Sequence, residues 1–286
     1  MKTRIVTIIV AGGVLLVLPA ASGAETRRVV AGFYPIAYAA QDIGGATVSV
    51  QNLTPAGAEP HDLELRPSDV VSIQRADLVL YLGEGFQPAV EKAVKSTHAH
   101  GVDLLAGFRL RSGKDEQGHQ ALDPHVWLDP LRYAELASRI GGALGRPRAT
   151  AAFVARLRAL DAQYRAGLAR CSRKTIVTSH AAFGYLAARY GLTQLALEGL
   201  SPEAEPSPKA LAKHIAEVRR SQATTVFFET LVSPKLAQTV ARDAHVKAAV
   251  LDPIEGLSPD ALHQGATYFT VMRSTLATLR LALGCS

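Results

Sequence analysis

The chain has 286 residues, with 31 Lys and Arg against 25 Asp and Glu, nine His, two Cys and one Trp. At 48% apolar and 20% charged it is neither a disordered tail nor a protein buried throughout in a membrane. Aromatics are 6% and no long run of like charges appears, which argues against nucleic-acid binding. At about 150 residues per domain, the length predicts two compact lobes or one large one.

In chain order, Lys2 and Arg4 precede an uncharged apolar run at 5–18, Pro19 breaks it, and small residues fill 20–24. The run is too short to span a bilayer comfortably and reads as a secretory signal peptide, cut after Ala24. No Cys stands at the cut, so a lipid anchor is not expected, and the product should be periplasmic or secreted. Short apolar strands follow at 28–32, 46–50 and 77–81, with helices near 35–43, 67–75 and 86–96. Residues 98–121 are rich in His, Gly and charge and read as a loop. Phe153, Leu157, Leu160, Tyr164 and Leu168 then form one stripe of a long helix over 148–170. Arg148, Arg156, Arg158 and Arg165 lie off that stripe, as a solvated face or as a docking patch for a membrane partner.

The second half alternates strands at 174–178, 193–197, 224–228 and 248–251 with helices. Three of these helices start at Ser207-Pro208, Ser233-Pro234 and Ser258-Pro259, where Ser can cap and Pro fits the first turn. Strand–helix alternation with short connections means parallel sheets. The expected fold is therefore α/β, with one βα lobe over 25–146, a linking helix over 147–171 and a second lobe over 172–286. An even Cys count in an oxidising compartment favours a disulfide between Cys171 and Cys285, with two free buried thiols as the alternative.

No G-x-S-x-G, Gly-rich phosphate loop, HExxH or thiol-protease pairing is present. Histidines and carboxylates instead stand near strand ends: His61 in a loop with two prolines, His125 before an Asp-Pro helix start, His180 after a strand, and Asp252 before Pro253. Ligands collect at the carboxyl ends of strands in open α/β sheets, so these four could converge between the lobes. Each alone has a plainer reading. A lone His is usually structural, as His214, His245 and His263 are taken to be, and Asp252 could cap a turn. Glu229, ending a strand, could support a ligand from behind.

The motifs Ala58-Glu59-Pro60-His61-Asp62, Asp123-Pro124-His125-Val126-Trp127-Leu128-Asp129-Pro130 and Ser179-His180-Ala181-Ala182-Phe183-Gly184 resemble those of metal-binding solute-binding proteins of ABC importers. Ser201-Pro202-Glu203-Ala204-Glu205-Pro206, Phe227-Phe228-Glu229 and Val250-Leu251-Asp252-Pro253 extend the resemblance, which is to the cluster A-I family and its zinc-binding, ZnuA-like branch. It implies two βα lobes on one rigid backbone helix, one metal site in the cleft, and delivery of the metal to a permease in the cytoplasmic membrane. Carried over by motif, His61, His125 and His180 are ligands and Asp252 supplies the carboxylate, with Glu59 or a water as the alternative. Cys171 and Cys285 match the positions of a disulfide found in part of the family. Three imidazoles and one carboxylate suit Zn²⁺, while Mn²⁺ sites favour more oxygen, and the family's manganese members carry a carboxylate where His180 stands. Mn²⁺ or Fe²⁺ import, or an adhesin of the same fold, are the alternative readings within the family. A secreted zinc hydrolase using Glu59 or Glu229 as base is the rival from another class. The chain is expected to act as a monomer. Zinc-type relatives often carry a long His- and Asp-rich loop before the second ligand. Here that segment holds only His98, His100 and His119 with Asp115 and Glu116, which speaks against a second site there.

Overall fold

The structure is a computed structural model that describes residues 26–115, 118–202 and 207–286. The expected signal peptide, Glu116, Glu203 and Glu205 lie outside the described residues. The first half runs β1 (Arg27–Ala31), α1 (Tyr34–Gly44), β2 (Val48–Asn52), α2 (Pro67–Arg75), β3 (Leu78–Tyr81), α3 (Pro88–Thr97) and β4 (Gly101–Asp103). Its four strands form a parallel sheet in the order β2-β1-β3-β4. Both faces are covered, which is why β1 and β3 read as continuous apolar runs. Val29, Ala31, Leu78 and Leu80 enter the main core, while Val30 and Val79 join a second cluster with Ile73 and Val90 on the opposite face.

Next come an antiparallel hairpin of β5 (Arg111–Lys114) and β6 (Gln120–Asp123), then α4 (Pro130–Leu144) and α5 (Pro147–Leu168). All five residues of the apolar stripe on α5 are buried. The helix packs on α1 and α4, and the Tyr164 hydroxyl donates to Met272 O at 2.6 Å. Two of its arginines are engaged: Arg156 pairs with Asp42 at 2.8 Å and lies over the Phe269 ring, and Arg165 pairs with Asp161.

The second half adds β7 (Thr175–Thr178), α6 (Gly184–Tyr190), β8 (Thr193–Ala196), α7 (Pro208–Ser221), β9 (Thr225–Phe228), α8 (Lys235–Ala244), β10 (Lys247–Val250), α9 (Pro259–His263) and α10 (Tyr268–Leu283). Its sheet is also parallel, in the order β10-β9-β7-β8. Ser207 and Ser258 cap α7 and α9 through their hydroxyls, as their Ser-Pro pairs predict. The C-terminal end of α10 returns to the end of α5. There Cys171 and Cys285 form a disulfide, with Arg173 N–H donating to Leu283 O at 3.1 Å beside it.

Two expectations are corrected. The segment read as a loop contains β4 and the β5–β6 hairpin, whose residues show no apolar alternation because its support comes from the other half of the chain. Leu200 N–H donates to Lys114 O at 2.9 Å, Arg111 N–H donates to the Tyr185 hydroxyl at 2.8 Å, and that hydroxyl donates to Asp123 O at 2.9 Å. The helical spacing of Leu262, Phe269, Met272, Leu276, Leu279 and Leu283 predicts one helix from Pro259, but α9 ends at His263, Gly265 takes φ +76, and Thr267 caps a new start at α10.

Candidate metal centre

Four segments at the ends of strands converge where the two halves meet. His61 lies in the loop after β2, His125 follows β6 and opens a short 3₁₀ turn (Val126–Leu128), His180 follows β7, and Glu255 stands in the loop after β10. The His61 loop is pinned from both halves: the buried Gln87 amide donates to Pro60 O at 3.4 Å, and Gly57 N–H donates to Leu257 O at 3.0 Å.

Within this cluster Glu255 Oε1 lies 3.0 Å from His125 Nε2, 3.3 Å from His180 Nε2 and 3.6 Å from His61 Nε2. The Nε2 atoms of His125 and His180 are 3.4 Å apart, and the four donor atoms all fall within 4.8 Å of one another. His125, His180 and Glu255 are fully buried, and the His61 side chain is nearly so. Two of the imidazoles are oriented from behind. His125 Nδ1 meets Asp123 Oδ1 at 2.8 Å, and His180 Nδ1 meets Glu229 Oε1 at 2.5 Å, with the Ser179 hydroxyl also donating to Glu229. Carboxylate–histidine pairs of this kind fix the tautomer that presents Nε2 to a metal.

The cluster is chemically unfinished. His61 Nε2, both Glu255 oxygens, Glu59 Oε2 and Glu229 Oε2 are buried without a hydrogen-bond partner. Such groups are costly unless something binds them. Burial would raise the Glu255 carboxyl, but the imidazoles outweigh it and hold it well below the ordinary range. Burial would likewise lower His180, yet the charges of Glu229 and Glu255 push it well above its ordinary value. His125 is raised too, because Asp123 and Glu255 overcome its burial, whereas burial prevails at His61 and lowers it. Glu59 is pushed up to about 9 by burial and by the Glu255 charge, and its Oε1 accepts the His61 N–H at 3.2 Å.

Of the residues singled out in the sequence, His61, His125 and His180 come together and Glu229 backs His180. Asp252 does not join them. Its Oδ2 accepts from the Thr230 hydroxyl at 2.8 Å and its Oδ1 from Ile254 N–H at 2.7 Å, so its carboxylate closes a turn. The carboxylate among the imidazoles is Glu255, three residues further on. Among the described residues no second group of three metal-ligating side chains occurs. His98 ends α3, His100 meets Asp77 O, and His119 pairs with Asp115 at the hairpin tip.

The family described as zinc-uptake complex component A, periplasmic (ZnuA) matches residues 29–282. The zinc-binding protein AdcA of Streptococcus pyogenes serotype M6 is 36% identical over 285 residues, covering 89% of this chain and 55% of its own. The chain thus spans about half the length of that relative. The high-affinity zinc uptake system protein ZnuA of Bacillus subtilis is 32% identical over 284 residues, covering 92% of this chain and 89% of its own. The crystal structure of the Zn(II)-bound ZnuA-like domain of Streptococcus pneumoniae AdcA superposes with a TM-score of 0.79 at 33% identity, covering 91% of this chain and 99% of that one. With a family match over nearly the whole described length and such relatives beside it, this chain belongs to the ZnuA family.

Proposed function

We propose that the chain is the extracytoplasmic solute-binding component of a zinc importer, holding Zn²⁺ through His61, His125, His180 and Glu255 and delivering it to an ABC permease. One observation carries this reading. Ligand atoms at the usual zinc distances of 2.0–2.1 Å stand about 3.3 Å apart in a tetrahedron. Four of the six separations among the donor atoms, 3.0, 3.3, 3.4 and 3.6 Å, bracket that edge, and all six are within 4.8 Å. Three nitrogens and one oxygen favour Zn²⁺ over Mn²⁺. Two ligands come from each half of the chain, so the ion is held between them as cargo. A hydrolase is disfavoured, because a catalytic zinc keeps an open position for water and this donor set already supplies four ligands.

Calorimetric titration of the chelator-stripped protein with Zn²⁺, alone and with excess Mn²⁺, tests the proposal. One tight site that Mn²⁺ does not displace is the expected result. Preferential Mn²⁺ binding would move the chain to manganese import, and no tight site would overturn the assignment of the four ligands.

A further inference from the structure

Unlike His125 and His180, Glu255 is held by no hydrogen bond from outside the cluster among the described residues. His125 and His180 are braced by Asp123 and Glu229, but neither oxygen of Glu255 has a partner beyond the imidazoles. Its aim therefore depends on its backbone, and the backbone there is unusual. Ile254, fully buried, takes φ +58, in the left-handed region where a β-branched residue is a rare outlier. Among the described residues the other non-glycine positions with such φ are Glu84, His98, Gln222 and His245, none of them β-branched. Strained positions persist only where surrounding structure over-determines them.

Restraints from three directions surround Ile254. Asp252 Oδ1 accepts the Ile254 N–H at 2.7 Å, and Asp252 is itself held by the Thr230 hydroxyl from the loop after β9. The Trp127 indole Nε1–H, two residues after His125, donates to Pro253 O at 2.7 Å. On the far side Leu257 O accepts from Gly57 in the His61 loop, and a Cβ at Gly256 would come within 3.4 Å of Ala58 O. The segment 252–257 is thus tied to the loops of the other ligands at both ends.

We propose that Asp252 and Trp127 are positioning residues that lock the left-handed turn at Ile254 and so aim Glu255 at the metal. Asp252 acts through its Oδ1 acceptor and touches no ion. The inference rests on Glu255 being a zinc ligand, and Glu255→Gln tests that separately: loss of affinity is required, and parent-like binding would overturn both readings.

The decisive comparison is Asp252→Asn against Asp252→Ala, with zinc affinity measured by chelator competition and the melting of the metal-free forms followed alongside. Asn keeps an acceptor for Ile254 N–H but loses the charge. It should bind zinc within about threefold of the parent, whereas Ala should bind about 10- to 100-fold more weakly, as when other groups that orient a ligand are removed. Asn as weak as Ala would make the charge itself the contributor and overturn the proposal, as would Ala binding like the parent. Trp127→Phe keeps the ring packing and removes the Nε1–H. It should lose about tenfold, and it decides the matter if Asp252→Ala does not fold: parent-like affinity in Trp127→Phe would then overturn the proposal.

Discussion

Replacing both Cys171 and Cys285 by Ser tests what holds the end of the chain to its middle. The two residues are 114 positions apart. The loop-closure relation for a loop of that length gives about 16 cal/mol/K of entropy removed from the unfolded chain, or about 4.8 kcal/mol at 25 °C. The folded state loses little with the sulfurs, because Ser172 N–H still donates to Gly284 O at 3.2 Å, Arg173 N–H to Leu283 O and Ser286 N–H to Arg170 O. The destabilisation should therefore appear with an unchanged native fold. With a urea m-value of roughly 3 kcal/mol/M, the unfolding midpoint should fall by roughly 1.6 M. Zinc affinity in the absence of urea should be unaffected, since the bond touches none of the loops that carry the four ligands. Equilibrium urea unfolding of the metal-free protein followed by circular dichroism is the assay. A midpoint shift under about 0.3 M would show that the chain-entropy argument fails here.

Zinc binding near neutral pH should release protons. The folded-state pKa values of His125 and His180 are raised, so these imidazoles keep protons above the ordinary range near 6.5 that the metal must displace. Affinity should accordingly climb with pH through and above that range and fall in acid, and apparent binding enthalpies should differ between buffers of different ionisation enthalpy. Equal enthalpies in all buffers would contradict the assigned protonation. Asp123→Asn, which weakens the orienting contact at His125 Nδ1, should cost about 10- to 100-fold in zinc affinity by chelator competition. Trp127, the sole tryptophan, has its ring 5.2 Å from that of His125, so its emission should change at one equivalent of zinc. Because α5 is packed along its length, release should involve the ligand loops and not a wide hinge. Small-angle scattering of metal-free and loaded protein should then give nearly superimposable curves.

Much of this was legible in the sequence because local chemistry and global fold agree. The apolar stripe of α5 and the strand–helix alternation are direct imprints of burial, and the three histidines each sit in a long motif at a strand end. The carboxylate that joins the three histidines was not legible. Asp252 stands two residues past the end of β10, in the place where a ligand is expected, while Glu255 follows the left-handed turn at Ile254, which no propensity of isoleucine announces. The Asp-Pro pair was the available signal, since it marks a turn whose acid is used locally. The β5–β6 hairpin escaped for a related reason: Gly113 sits against Leu200, some ninety residues downstream, and a pattern supported from so far away leaves no local period.

That hairpin also bears on the order in which the chain can fold. Its strands are made well before Tyr185 and Leu200, the residues that accept and cap them, yet Asp123 at its end orients His125. The first half can close its own parallel sheet early, but His125 cannot be braced until α6 and the loop at 198–200 arrive. Amides of the hairpin should therefore be among the last to gain protection from hydrogen exchange during refolding, and zinc binding should appear with them.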